Sequence, residues 1–193
     1  RPWTPNSEYE LFQNSLAQVE LADRLGYDYI WEVEHHFLEE YSHSASPEVF
    51  LAAASQRTKN IRLGHGIVQL TTNQPHRVAE RVAMLDLISG GRVELGMGEG
   101  AGPAELHPFN VRVRDKRDRW EEAVQAIIPM FTKDSWEFHG KYHDFPARNV
   151  VPKPYQKPHP PLWVACSNIR TIAEAGQWGM GALGFSFVSP DAA

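Results

Sequence analysis

The chain repeats one unit. Short runs rich in Val, Ile and Leu begin near residues 28, 61, 93, 162 and 182, and an amphipathic helical stretch follows each of the first four. Parallel strands cannot be joined by a tight turn. They need a crossover, and the crossover helix hides one face of the sheet. A chain built this way is therefore an α/β protein with a parallel sheet covered by helices.

The punctuation supports the division. Ser7 and Glu10 are spaced as a capping box at the start of a first helix, with Leu11, Phe12, Leu16, Val19, Leu21, Ala22 and Leu25 as its apolar face and Gly26 as its stop. Ser46 and Pro47 stand at the N-cap and first position of the next helix. Gly90-Gly91 stops the one after that, and Pro129 ends or kinks the long helix that starts at Lys116. Residues 133–161 break the rhythm. They are rich in Pro, His and Lys and read as a long excursion or a short hairpin.

Two architectures fit: an open, doubly wound sheet and a (β/α)8 TIM barrel. A barrel needs eight strands and about five are visible. The expectation is a single, incomplete barrel domain over residues 1–193, holding about strands 2 to 6 and part of something near twice the length. The small open α/β domain is the alternative.

Composition narrows the function. A net charge of −5 over 193 residues offers no basic face for nucleic acid. No apolar run approaches the roughly 20 residues of a membrane span. Cys166 is the sole cysteine, so no intrachain disulfide can form, and a cytoplasmic setting is expected.

Both architectures place function at the C-terminal ends of the strands, and polar or glycine-rich residues gather there. Glu34, His35 and His36 end the first strand. By alternation Glu34 and His36 share a side and His35 faces away. They suit proton transfer, since imidazole titrates near neutrality; a hydrogen-bonded packing pair is the plainer reading. No third ligand with metal spacing is evident, so no metal is expected. His65-Gly66 lies in the second strand, where glycine marks a bulge or a ligand against the backbone, while His65 alone also reads as a core residue. Gly96, Met97, Gly98 and Glu99 end the third strand. With Ala101 they mimic a dinucleotide fingerprint, but Pro103 follows and the next helix is not expected before Lys116. The glycines serve either turn geometry or close approach of a flat ligand. Cys166, Ser167, Arg170 and Thr171 span a strand-to-helix turn whose free N–H groups suit a phosphate; an ordinary Ser N-cap is the alternative. His76, His107, His139, His143 and His159 are expected to be solvated, and most of the tryptophans to be core or interface.

The segments "GYDYIWEVEHHF", "IRLGHGIVQLTTNQPHRVAERVAMLDLISGGRVELGMGEG" and "PLWVACSNIRTIAEAGQWG" together resemble the bacterial luciferase-like flavin monooxygenase family, from about Ser7 to Phe187. The resemblance implies a TIM barrel that uses reduced FMN, supplied by a separate flavin reductase, and dioxygen to oxygenate a small organic substrate, as a homodimer. It gives His35 the chemical role, with His36 and Glu34 beside it. It places a bulge or a non-proline cis peptide at His65-Gly66 under the flavin, and the phosphate at Cys166, Ser167, Arg170 and Thr171. The chain departs from luciferase at Gly98, where that enzyme has a reactive cysteine, and at Glu99, where it has a phosphate-binding arginine, which leaves Arg170 to supply the charge. Light emission is not implied. A relative that moves a hydride with a 5-deazaflavin is the alternative. A non-catalytic flavoprotein and a metal hydrolase are further readings.

Overall fold

The computed structural model of the chain describes residues 4–184. The elements run α1 (Ser7–Leu25), β1 (Tyr29–Glu32), α2 (Pro47–Arg57), β2 (Arg62–His65), β3 (Val68–Gln69), α3 (Pro75–Ile88), β4 (Val93–Gly98), α4 (Pro103–Leu106), α5 (Lys116–Met130), β5 (Trp136–His139), β6 (Asp144–Arg148), β7 (Leu162–Cys166), α6 (Ile169–Gln177) and β8 (Gly181–Gly184). Short 3₁₀ turns at His107–Phe109 and Val113–Asp115 link α4 to α5. The last strand was expected to reach Phe187; residues 185–187 lie outside the described residues.

The main sheet has the order β1-β2-β4-β7-β8, with β3 continuing β2 against β4. Every pairing in it is parallel. The order follows the chain and never reverses, whereas a doubly wound sheet must reverse at its switch point. The strands are thus successive staves of part of a TIM barrel. The curl shows in Trp31 of β1 and Trp163 of β7. Their strands are three positions apart, about 14 Å in a flat sheet, yet the rings meet edge to face with centroids 5.2 Å apart.

Two layers of side chains follow from strand alternation. Leu63, Val93, Leu95, Met97 and Val164 face outward and are buried against Leu51, Val82, Leu85, Trp120 and Ile127 of α2, α3 and α5. The inner face carries Trp31, Gly64, Gly96, Gly98 and Trp163. A Cβ on Gly64 would lie 2.2 Å from the Trp31 ring, and one on Gly181 would lie 2.1 Å from that of Trp163. Glycine is thus what lets each indole lie flat on the next strand. Beneath them Glu94 is buried, accepts from the Trp163 indole N–H at 2.7 Å and pairs with Arg62. Residues 133–161 form the antiparallel hairpin β5–β6 and an irregular return with two cis X-Pro bonds, Val151-Pro152 and Lys157-Pro158.

Several local expectations are corrected. Ser7 is the first helical residue, and its hydroxyl accepts from the Thr4 N–H rather than capping toward Glu10. Ser46 does hold the N-cap of α2, but its side chain makes no capping bond. On α1 only Leu16 and Val19 are buried, backed by Phe12 and Ala22; Leu11, Leu21 and Leu25 stay exposed, because the contact with α2 is a narrow stripe. The run from Ile61 to Leu70 is two strands, divided by a cis peptide between Gly66 and Ile67. His139 is exposed as expected, though on β5, whereas His76 stacks on Phe145 with centroids 5.1 Å apart. His143 is buried, since Glu122 of α5 binds the backbone N–H groups of residues 141–143 and draws the hairpin onto the helix.

Two predictions follow from packing. Gly64→Ala should lower unfolding free energy by about 1–3 kcal/mol through overpacking, and Trp31→Leu in the same chain should recover part of the loss; urea melts of the three variants read this, and additive losses would exclude the contact. Burial holds the His143 imidazole below its ordinary range of about 6.5, with Glu122 opposing and Arg119 and His76 reinforcing. A histidine with a lowered folded value contributes stability that is complete above the unfolded value and lost as pH falls below it. His143→Gln should therefore flatten the fall in stability below pH about 6.5, measured as the difference between the two proteins' pH-dependent melts.

Candidate functional site

The parallel sheet brings the ends of β1, β3, β4 and β7 to one rim. Strand β1 stops at Glu32, and the backbone beyond it is held by the His35 N–H donating to Ser44 O at 2.8 Å and by the Ser44 hydroxyl donating to Val33 O at 2.7 Å. Phe37 turns the chain with φ 63°. Glu34, His35 and His36 therefore lie just beyond the strand they were expected to end; Glu34 and His36 still fall together and His35 turns to Glu105.

Each histidine meets its own buried carboxylate. His36 Nε2 lies 2.9 Å from Glu34 Oε1. His35 Nδ1 lies 3.1 Å and 3.3 Å from the two oxygens of Glu105, which also accepts the His36 N–H at 2.9 Å. The carboxylates are 5% and 3% exposed, the imidazoles 15% and 19%. The acids are therefore shut away from water while the rings reach the rim.

Burying two carboxylates is costly unless donors surround them. Glu34 receives the Gln69 backbone N–H at 3.0 Å and the Asn73 amide at 2.9 Å. Asn73 is itself oriented by Arg81, at 2.7 Å, and Arg81 is paired with Glu48. The Gln69 amide donates to Glu34 O at 2.8 Å and to Glu105 Oε2 at 3.2 Å, so it bridges the two acid–histidine pairs. Phe109 packs edge-on to His36 and Tyr41 edge-on to His35, with centroids 4.9 and 5.2 Å apart.

Glu105, Gln69, Asn73 and Arg81 were not expected here. The signal for Glu105 was present: Gly102-Pro103 is an N-cap and first-position pair, and a one-turn helix, α4, does start there. Pro103 opens that helix rather than postponing it to Lys116.

The other expected residues divide by face. His65, Met97 and Cys166 turn their side chains into the buried layer. His65 makes a 3.3 Å contact with Glu94 O, and burial holds its imidazole below the ordinary range. Gly66, Gly96 and Gly98 lie on the inner face. A Cβ at Gly96 would strike His65 O at 2.0 Å, and one at Gly98 would strike Ile67 at 2.7 Å, so this part of the rim is kept flat. At the β7–α6 turn, Asn168 and not Ser167 is the N-cap, accepting from the Thr171 N–H at 3.1 Å. Ser167 is exposed. Arg170 is 84% exposed and bonded to Glu174 at 2.9 Å. Glu99 faces Arg117 at 3.2 Å and Lys116 at 3.7 Å, which offset its charge. Among the described residues no group of three or more His, Cys, Asp or Glu could hold a metal ion, and no helix is long and apolar enough to cross a membrane.

Glu34 is a structural keystone as well as a site residue. Glu34→Ala strands the Gln69 N–H and one of the two Asn73 amide N–H groups, the other still donating to Gln69 O, and should cost on the order of 2–3 kcal/mol in urea melts; a loss below about 0.5 kcal/mol would mean that these donors find other partners.

Comparison with known proteins agrees with this architecture. The family model described as luciferase-like monooxygenase matches residues 2–193. The oxygenase component of flavin-dependent trigonelline monooxygenase from Acinetobacter baylyi is 31% identical over 164 residues, which are 82% of this chain and 44% of that protein. The crystal structure of monooxygenase RslO1 from Streptomyces bottropensis superposes with a TM-score of 0.88 at 35% identity, covering 94% of this chain and 55% of that one. An F420-dependent secondary alcohol dehydrogenase shares the fold, with a TM-score of 0.80 at 23% identity over 90% of this chain and 54% of that one. The chain spans about half the length of the curated relatives it matches. With an unreversed parallel sheet, a rim of paired acids and histidines, and a family match over nearly its whole length, the chain belongs to the luciferase-like monooxygenase family.

Proposed function

We propose that this protein is the oxygenating component of a two-component flavin-dependent monooxygenase, taking reduced FMN from a separate flavin reductase and acting with dioxygen on a small organic substrate. The observation that carries the reading is the pair of buried acid–histidine contacts at the rim, in a chain of this family. The trigonelline relative, itself named as a flavin-dependent oxygenase component, supports the division of labour with a reductase. On α3, Met84, Leu87 and Ile88 are exposed at i, i+3 and i+4, and this apolar stripe supports a homodimer. A cytoplasmic setting suits a reaction fed by a reductase.

The residues present fit a flat cofactor with a phosphate tail. The inner rim admits no side chain at Gly96 or Gly98. The buried Gln69 Oε1, beside Gly100, has no partner among the described residues and offers an acceptor. Ser167 and the first turn of α6 would hold the phosphate, with Arg170 and Thr171 beside them. When bound, the reduced flavin supplies the two electrons that activate dioxygen. The chain supplies the rest. His35 holds or moves a proton at Nε2, its nitrogen not facing Glu105. His36, fixed through Nε2 by Glu34, orders the second side of the site. Tyr41 and Phe109 shield the imidazoles from water on their outer edges.

The test is oxygen uptake by the purified protein given reduced FMN or reduced 5-deazaflavin in turn, counted as the difference from a protein-free control in which the free cofactor reacts by itself, with each cofactor's Kd measured alongside. Uptake with FMN is expected, and His35→Gln should slow it by about 10²–10⁴-fold at unchanged FMN affinity. Oxidation of the deazaflavin on addition of a ketone as hydride acceptor, with no oxygen uptake, would replace this reading by hydride transfer, in keeping with the fold shared with the F420-dependent enzyme.

A further inference from the structure

We infer that Glu105 is the positioning residue for His35: it fixes the imidazole as the Nδ1–H tautomer and leaves Nε2 as the basic nitrogen at the rim. The inference deepens the proposed function and rests on it only for the rate measurement below. It starts from how the two oxygens of Glu105 are used. Oε2 takes the His36 N–H at 2.9 Å, the Gln69 amide at 3.2 Å and His35 Nδ1 at 3.1 Å, while Oε1, among the described residues, takes only His35 Nδ1, at 3.3 Å. The His36 N–H is a backbone donor and cannot reverse. The Gln69 amide is also committed as a donor, because its Nε2 lies 2.8 Å from Glu34 O, a backbone acceptor. A carboxylate is acceptor-only, so the one remaining partner, His35 Nδ1, must carry a proton. In neutral imidazole the lone pair then sits on Nε2.

The same geometry says what an isosteric amide would do. In Glu105→Gln the two fixed donors keep the single oxygen at the Oε2 position. The amide NH₂ then occupies the Oε1 position and points a proton at His35 Nδ1. The ring can accept it only by moving its own proton to Nε2. Glu105→Gln should therefore invert the tautomer of His35 without altering shape. Glu105→Asp keeps an acceptor-only group and should keep the native tautomer.

The experiment is ¹⁵N NMR of the ring nitrogens of His35 in histidine-labelled, cofactor-free protein, assigned with His35→Gln, together with oxygen uptake on reduced FMN. In the wild type and Glu105→Asp, Nδ1 should give the protonated and Nε2 the unprotonated shift; in Glu105→Gln the two should exchange. Uptake should fall by about 10²–10⁴-fold in Glu105→Gln, with FMN Kd within twofold, and recover at least tenfold of that in Glu105→Asp. An unchanged tautomer in Glu105→Gln, or a fall in FMN affinity that accounts for the rate, overturns the inference. Oxygen uptake in the wild type no different from the protein-free control overturns the monooxygenase reading instead, and the NMR arm still decides the role of Glu105.

Discussion

The site depends on one constraint: all strands of the main sheet run the same way, in chain order. That puts the end of β1, which carries the histidines, at the same rim as the end of β4, which leads into Glu105. His35 and Glu105 are 70 residues apart, and no local preference could join them. The curl matters as much as the direction. Trp31 and Trp163 can meet only because Gly64 and Gly96 between them project nothing inward. The glycine-rich character of β2 and β4 thus serves packing first, and a flat rim is its consequence.

A second dependence runs through burial. Glu34 and Glu105 are both almost inaccessible, and two like charges in one low-dielectric site would repel unless each were well supplied with donors. The chain meets this with backbone N–H groups of His36 and Gln69, which cannot rotate away, and with amides pinned from behind, as Asn73 is by Arg81. Gln69 matters most, since it contacts both carboxylates and comes from β3, the short strand beyond the Gly66-Ile67 bond. The rings are thus held by donors and acceptors from β3, α3 and α4 on one side and by Ser44 and Tyr41 of their own loop on the other.

Much of this was legible in the residues, and the gaps have physical causes. Strands and long helices repeat their pattern over several turns, so their order, their glycine stops and the barrel direction could be read. Glu34, His35 and His36 stand out because polar residues at the end of an apolar strand need a reason. A one-turn helix has no period, so α4 and with it Glu105 stayed hidden despite Gly102-Pro103. Caps were misplaced by one residue at Ser7 and Ser167 because several small polar residues compete there and only backbone geometry decides. For His65 the residues left core and site both open, and for His143 they pointed to solvent, because histidine is compatible with core, surface and site alike, and which side of a strand or hairpin it takes depends on neighbours distant in sequence.

The charges at the end of β4 show how far local reading can mislead. Glu99 by itself looks hostile to a phosphate. In the fold it belongs to a chain of ion pairs: Arg117 is shared among Glu99, Glu121 and Glu174, and Glu174 is also paired with Arg170. Arg117 lies against Trp120, 4.7 Å from the ring centroid, so the indole favours the cation in place and the whole chain is fixed to α5. Each cation here is therefore matched by an acid, and none is a surplus charge waiting for an anion. In the proposed arrangement the attraction for a phosphate must come mainly from the Ser167 hydroxyl and the first turn of α6, where Asn168 already occupies the Thr171 N–H. Short-range hydrogen bonds, not net charge, would then select the cofactor's tail, and such bonds are less weakened by salt than an exposed ion pair.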